Sequence, residues 1–308
     1  MRILVIGAGA TGGYFGGRML QAGGDVTFLV REKRAALLTE QGLIIKSPLG
    51  DVTLRNPPTV TAGNIKAPYD IVLLSAKAYD LDDAIASFAP AVGPYTAIIP
   101  VLNGMRHLDV LDAKFGKARV MGGQCAIAAQ LDDKGVIHHF IPMLSLSFGE
   151  RDGGISDRAR AIAAALKGEQ FEATASDNIM QEMWEKWTFL ATLAGSTCVM
   201  RAPVGKIVGA PGGEAFVRGV RDEIAAIARA AGHDPRAAFL ERTGGMLFDK
   251  NSSLTASMLR DIQGHSRIEA DHVIGDLIVR AEAAKPAIGV PLLRVIYTHL
   301  KAYEAQRG

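Results

Sequence analysis

Gly7-Ala8-Gly9-Ala10-Thr11-Gly12 places glycines at the spacing GxGxxG. The pattern alone is weak. It gains meaning because a short apolar run, Arg2–Ile6, precedes it and a helix-period stretch, Thr11–Ala22, follows it. In that setting Gly7 permits a tight turn and Gly9 lets backbone approach a pyrophosphate. Gly12 and Gly16 let the helix lie close on a sheet. The unpaired N–H groups at the helix start then attract the anion. The plainer alternative is a glycine-rich strand–helix turn with no ligand.

Other residues carry chemical potential at strand ends. A second strand, Val26–Val30, runs into Arg31, with Lys33 and Arg34 close behind. NAD sites carry an acid near this point to accept from the ribose 2′-OH, whereas a cation suits a 2′-phosphate. The expected cofactor is therefore NADP(H); the alternative is that Arg31 only solvates a loop. Lys77 follows the strand Ile71–Ser75, and Asn103-Gly104 follows Ala97–Ile99. Both lie at the carboxyl edge where open α/β sheets bind ligands. Composition alone does not separate them from ordinary loop residues.

Lys186 is the last charge before the apolar run 187–200, between Trp184 and Trp187. It either snorkels to the surface or aims into a cleft, and the spacing by itself favours snorkelling. Glu269 reads as part of a helix, on a solvated face or beside the chemistry. His265, Glu269 and His272 at i, i+4 and i+7 would share that helical face. No HExxH accompanies them, and no metal is expected. His138 and His139 alternate across a strand and point to opposite faces. Cys125 reads as a small buried hydrophobe.

The elements that must position these groups change character along the chain. Through the first half, short apolar runs alternate with amphipathic stretches, which implies a mostly parallel sheet with right-handed crossovers. Leu43–Lys46 and Val52–Leu54 flank a hairpin turn. The strands Arg119–Met121, Val136–Phe140 and Leu144–Phe148 are expected to extend the sheet, partly antiparallel. After about residue 173 strand signals stop. Asp177 can cap a helix through Trp187, and helical segments follow at Gly213–Ala231, Leu254–Gly264, Ser266–Ala284 and Pro291–Gln306. The expected architecture is an α/β domain over 1–172 and an all-α domain over 173–308. Pro203–Gly213 reads as an ordered loop or short turn.

Composition narrows the partners. The 308 residues are 48% hydrophobic and 21% charged, which excludes bulk disorder. Lys and Arg total 34 against 32 Asp and Glu, leaving a net charge of +2, a poor counter-ion for nucleic acid or an acidic membrane. Cys125 and Cys198 lie far apart, so a reducing compartment is the default. The glycine-rich N-terminus does not read as a signal peptide, and 187–200 falls short of a membrane span. The expectation is a cytoplasmic protein with a small-molecule substrate and neither nucleic-acid nor membrane partners. The run 187–200 fits either domain core or a homodimer interface through the helical half.

Several short motifs, in order, resemble the ketopantoate reductase family (2-dehydropantoate 2-reductases). They are the GAGATG loop, the strand ending in Arg31, Ser75-Ala76-Lys77-Ala78, Leu102-Asn103-Gly104-Met105, Trp184-Glu185-Lys186, Ser257-Met258-Leu259-Arg260-Asp261-Ile262 and Ile268-Glu269-Ala270-Asp271. They span nearly the whole chain. The resemblance implies a Rossmann-type N-terminal domain and a helical C-terminal domain. It also implies reduction of a 2-oxo acid by NADPH, with 2-dehydropantoate giving (R)-pantoate.

By the same resemblance Lys186 matches the catalytic lysine, and Asn103 the asparagine at the nicotinamide and substrate carbonyl. Lys77 matches a cleft lysine, Ser257 a substrate-binding serine and Glu269 a glutamate near cofactor and lysine. Ala128 falls at a backbone contact with the cofactor. The chain also departs from the pattern. Family members that reduce ketopantoate carry asparagines where this chain has Leu190 and Ala194, and near Val204 and Leu254. Each lost polar partner is worth roughly 1–3 kcal/mol of discrimination. Arg201 is a candidate replacement anchor for a carboxylate. A paralogous reductase of another 2-oxo acid, or a non-catalytic NADP(H)-binding sensor, stands as the alternative.

Overall fold

Uncharged runs such as Ile3–Ile6, buried at all four positions, can only be satisfied between neighbouring strands and covering helices. In the computed structural model, which describes residues 1–307, they form the middle of a parallel sheet. The chain runs β1 (Ile3–Ile6), α1 (Ala10–Gln21), β2 (Val26–Leu29), α2 (Glu32–Gln41), β3 (Leu43–Lys46), β4 (Val52–Leu54), β5 (Thr59–Val60) and β6 (Tyr69–Leu74). It continues through α3 (Leu81–Phe88), β7 (Val92–Pro100), α4 (Arg106–Phe115), β8 (Gly122–Leu131), β9 (Val136–Gly149), α5 (Asp157–Ala165) and β10 (Ala173–Ala175).

The first sheet has the order β5-β2-β1-β6-β7, all parallel, with Ile3 opposite Val26 on one side and Ile71 on the other. This is the Rossmann-type arrangement expected from the alternation of strands and helices. The region after residue 119 does not extend it. Val120 makes a single bridge to Ile98, and the chain then enters a second sheet. There β9 pairs antiparallel with β8 and parallel with β3 and β10. The two strands expected at Val136–Phe140 and Leu144–Phe148 are one strand, with 140–143 excluded from the ladder by a register shift against β8.

Helix α1 packs against both sheets. A Cβ on Gly16 would stand 2.6 Å from the Phe28 ring, and one on Gly17 would stand 2.9 Å from Ile45 and Leu43. The Gly-Gly pairs of α1 are thus packing surfaces. Tyr14, Phe15 and Met19 share a core with Phe28, Ile137 and Phe148.

The helical part comprises α6 (Ile179–Met200), α7 (Val204–Gly209), α8 (Gly213–Ala230), α9 (Ala237–Leu247), α10 (Ser257–Gln263), a π-helical turn (Asp271–Gly275), α11 (Asp276–Ala283) and α12 (Pro291–Arg307). Two compact units result: Met1–Leu102 with His107–Ile179, and Asn103–Arg106 with the chain from Met180 onward. The first unit runs past residue 172 because Ala173–Ala175 pairs with Leu146–Phe148. Among the described residues no helix is long and apolar enough to cross a membrane.

Two helix boundaries depart from expectation, and both matter for the site. α10 begins at Ser257 rather than Leu254, because the 252–254 segment is drawn into backbone pairing: Val204 N–H donates to the Leu254 carbonyl and Gly205 N–H to that of Ser252. The stretch 266–269 is not helical. His265 sits at φ 53°, and Tyr303 Oη donates to the Ser266 carbonyl. Glu269 therefore precedes the helix, and its carbonyl accepts the Val273 N–H at 2.9 Å. Consequently His265, Glu269 and His272 do not share a helical face.

Candidate active site

In the sheet unit the loop between β1 and α1 is shaped to face an anion. Gly7 adopts φ 89°, a conformation that favours glycine, and its N–H donates to the Leu29 carbonyl at 2.9 Å. Gly9 is the N-cap of α1 and offers no side chain to the first N–H groups, those of Ala10, Thr11 and Gly12. A Cβ on Gly9 would meet nothing within 4 Å, whereas one on Gly12 would lie 2.2 Å from Ser75 Oγ and 2.5 Å from the Gly7 carbonyl. Gly12 is a packing requirement; Gly9 keeps space open beside an uncapped helix start. That combination fits a dinucleotide pyrophosphate.

The other strand ends flank this loop. Ser75 Oγ donates to the Ile6 carbonyl at 2.9 Å and ties the end of β6 to that of β1. Lys77 follows, exposed, at the same carboxyl edge. Arg31 is the N-cap residue of α2, and its side chain is 78% exposed, with Asp80 only at 3.9 Å. Such a contact holds it weakly, which leaves the guanidinium available to an anion. Arg34 differs. Its guanidinium donates to the Ala8 carbonyl at 2.9 and 3.2 Å and to the Gly135 carbonyl at 3.1 Å. Burial lowers its pKa from the ordinary arginine value, with Asp132 opposing. Arg34 braces the glycine loop from behind, a role its sequence position beside Arg31 conceals. Ala128 lies in the gap of the β8–β9 register, outside the ladder.

In the helical unit α6 is the buried axis. Its 22 residues span about 33 Å. Thr188, Thr192 and Thr197 are buried and satisfy their hydroxyls on carbonyls one turn back, at 2.7–2.9 Å. Glu185, 3% exposed, accepts from Arg236 N, Nε and Nη2 at 2.6–2.9 Å and from Gln181 Nε2 at 3.2 Å. Burial pushes its carboxyl up, but the Arg236 and Gln181 bonds outweigh this and hold it below the usual range. The acid next to Lys186 in sequence is thus committed to the start of α9.

Lys186 is half-buried. Leu190, Ala194 and Thr197 continue its face of α6 at the i, i+4 and i+8 to i+11 spacing of one helical surface. Thr197 Oγ1 accepts the Ala256 N–H at 3.4 Å, which sets the start of α10, and hence Ser257, about three turns along that face. Ala194 and Thr197 are buried, and Leu190, one turn beyond Lys186, is partly exposed. Val204 and Leu254 meet through their backbones beside this stretch. Arg201 does not join the group. It lies fifteen residues beyond Lys186, about 22 Å along the axis, with its guanidinium 5.8 Å from the Tyr303 ring. A small 2-oxo acid held at Lys186 cannot also reach it.

The π turn organises the rest. Trp187 Nε1 donates to the Val273 carbonyl at 2.9 Å. Asp271 accepts from Tyr297 Oη at 2.6 Å and from Lys301 Nζ at 3.2 Å. Burial raises the Asp271 carboxyl, and these donors more than offset it, so its pKa is lowered. His272, 6% exposed, is hydrogen-bonded to the Asn103 backbone. Burial lowers its pKa; Glu269, Asp276 and the bond to Asn103 oppose this. Lys186 and Asn103 are therefore linked through Trp187, Val273 and His272. Glu269 stands half-buried at the head of the same turn. His272 was legible in the sequence only as part of an unconvincing metal pattern. Among the described residues no group of three or more His, Cys, Asp or Glu could hold a metal ion.

Comparison with known proteins adds to this geometry. A family model described as "Ketopantoate reductase PanE/ApbA" matches residues 3–153, and its C-terminal counterpart matches 178–304. The chain is 37% identical over 307 residues to an uncharacterized oxidoreductase, YkpB, of Bacillus subtilis (strain 168), covering 100% of both chains. It is 26% identical over 302 residues to a 2-dehydropantoate 2-reductase of Halobacterium salinarum, covering 96% of each. A solved structure of 2-dehydropantoate 2-reductase from Methylococcus capsulatus is similar with a TM-score of 0.85 and 27% identity, over 100% of this chain and 98% of that one.

Proposed function

The chain belongs to the ketopantoate reductase PanE/ApbA family and is an oxidoreductase, and on that premise we propose that it reduces the ketone of a 2-oxo acid with NADPH. The observation that carries the substrate reading is the face of α6 beyond Lys186, where apolar Leu190 and Ala194 follow the lysine at one-turn intervals. Such a face accepts an acid whose body is apolar and offers no partner to a substrate hydroxyl. 2-Dehydropantoate, with (R)-pantoate as product, is the second reading, and the family match favours it.

The chemistry divides among named residues. Bound NADPH supplies a hydride to the carbonyl carbon. Negative charge then grows on the ketone oxygen, and the Lys186 ammonium stabilises it and gives that oxygen a proton from Nζ. Asn103 orients the carbonyl, and Glu269 holds Lys186 and the cofactor ribose. Gly7 to Gly12 cradle the pyrophosphate, Arg31 meets the 2′-phosphate, Lys77 adds positive charge at the sheet edge, and Ala128 contributes backbone. Ser257 is assigned to the substrate on the family match.

The test is NADPH oxidation followed by absorbance across pyruvate, 3-methyl-2-oxobutanoate, 4-methyl-2-oxopentanoate, phenylglyoxylate and 2-dehydropantoate. The highest kcat/KM is expected for a branched or aryl 2-oxo acid. A clear preference for 2-dehydropantoate selects the second reading, and NADPH binding without turnover of any acid selects a non-catalytic sensor.

A further inference from the structure

Asn103 and Gly104 both rest on one residue, His272. Gly104 is buried at φ 77°, and a Cβ there would stand 2.7 Å from the His272 carbonyl oxygen and 2.9 Å from ring atom Cδ2. Only a glycine at this position lets the backbone rest so closely on the histidine. The His272 ring also bonds the Asn103 backbone, and that bond favours the protonated ring, so the ring donates and the Asn103 carbonyl accepts. The backbone that carries the Asn103 side chain is thus fixed at two successive points by one residue.

His272 is itself immobilised. It sits inside the π turn, with Asp271 before it tied to Tyr297 and Lys301 and Val273 after it tied to Trp187. A Cβ on Gly275 would lie 3.0 Å from the Tyr297 ring, so α12 backs the far end of the turn. Glu269, Asp276 and Arg106 are the charged groups that act on the ring. π turns are rare and recur at functional sites. Here the Val273 carbonyl of the turn is taken by Trp187, the residue adjacent to Lys186, and His272 immediately precedes it.

We propose that His272 is a positioning residue for the reaction: its ring N–H, held by the π turn, sets the Asn103 carbonyl and thereby aims the Asn103 side chain at the reacting carbonyl group. The proposal rests on the reading of Asn103 given above. It makes His272 neither an acid nor a ligand; it acts through Asn103.

Full-length variants separate this role from simple packing. His272→Phe removes both ring nitrogens, His272→Asn places an amide nitrogen near the position of Nδ1, and His272→Gln places one near Nε2. Steady-state reduction of 4-methyl-2-oxopentanoate and 2-dehydropantoate, NADPH Kd from protein fluorescence and Tm are measured for each. His272→Phe is expected to lower kcat at least tenfold with NADPH Kd within about twofold, and one of the two amides is expected to restore kcat to within about threefold. Equal kcat in all variants, or losses that simply follow Tm, overturn the proposal. If His272→Phe does not fold, the amides decide: a tenfold kcat gap at matched Tm supports the role, and no gap overturns it.

Asn103→Ala distinguishes the two layers of inference. It is expected to lose kcat, and His272→Phe is expected to add less than about twofold on that background, because coupled residues are not additive. If Asn103→Ala is inert while Lys186→Ala is not, the reading of Asn103 falls and the proposal falls with it. If Asn103→Ala is impaired and every His272 variant is inert, the proposal falls alone.

Discussion

The indole N–H of Trp187 meets the carbonyl oxygen of Val273 at 2.9 Å, and this bond ties the turn after Lys186 to the π turn that follows Glu269. Both partners are buried, so neither has water as a substitute. Trp187→Phe keeps an aromatic ring and removes the donor. A loss of about 1–3 kcal/mol of unfolding free energy is expected from urea denaturation, with a fall in kcat as the Lys186 region loosens.

Lys186→Ala tests the proton donor. A kcat loss of at least about 10²-fold is expected, with NADPH Kd nearly unchanged, since the lysine acts on charge that develops only in the transition state. Near-normal turnover would dismiss Lys186 from the chemistry.

Gly9 and Gly12 are expected to separate stability from binding. A methyl on Gly9 has open space, so Gly9→Ala should keep Tm within a degree or two while weakening NADPH binding at least about tenfold, by obstructing the pyrophosphate. Gly12→Ala would press on Ser75 Oγ and the Gly7 carbonyl, and should lower Tm as well. Equal effects of the two substitutions on Tm would contradict this assignment.

Arg31→Ala is expected to raise the NADPH KM about 10- to 100-fold, the scale of a charge-assisted hydrogen bond of roughly 1.5–3 kcal/mol, and to leave NADH kinetics almost unaltered. An unchanged NADPH preference would place 2′-phosphate recognition elsewhere.

Buried His272 makes stability depend on pH in a defined direction. Its pKa in the folded chain is lowered from the ordinary value, chiefly by burial. As pH falls below about 6.5 the unfolded chain takes up a proton that the folded chain refuses. Stability should therefore decline through this range, by up to about 1.4 kcal/mol per pH unit, and level off below the folded pKa. Above pH 7 the residue adds no slope. His272→Gln should flatten the Tm profile between pH 7 and 5.

Much of the sheet unit was legible because its signals are local. A charge-free tetrapeptide, a glycine turn and an amphipathic stretch follow one another directly, and the resulting edge collects Gly7, Arg31 and Lys77. The departures occur where tertiary contacts overrule local pattern. Leu254 looked helical but pairs through its backbone with Val204. Glu269 looked helical, but His265 and the Tyr303 contact with Ser266 break the period before it. The helix Arg106–Phe115 was not foreseen, its charges obscuring the buried stripe of His107, Leu108 and Leu111. His272 was seen as a residue type without its purpose, because its partner is a backbone carbonyl from a distant segment, which leaves no mark in composition or spacing.

The grip of Arg34 on the Ala8 carbonyl bears on how this chain's coenzyme preference could be redesigned. Three cations cluster after β2, and replacing the whole group would be the natural route toward NADH. One of them supports the turn that either coenzyme must use. On the proposed assignment, substitution at Arg31 is expected to change which coenzyme is chosen, whereas substitution at Arg34 is expected to weaken both. A library built to switch preference should vary position 31 and leave position 34 as arginine.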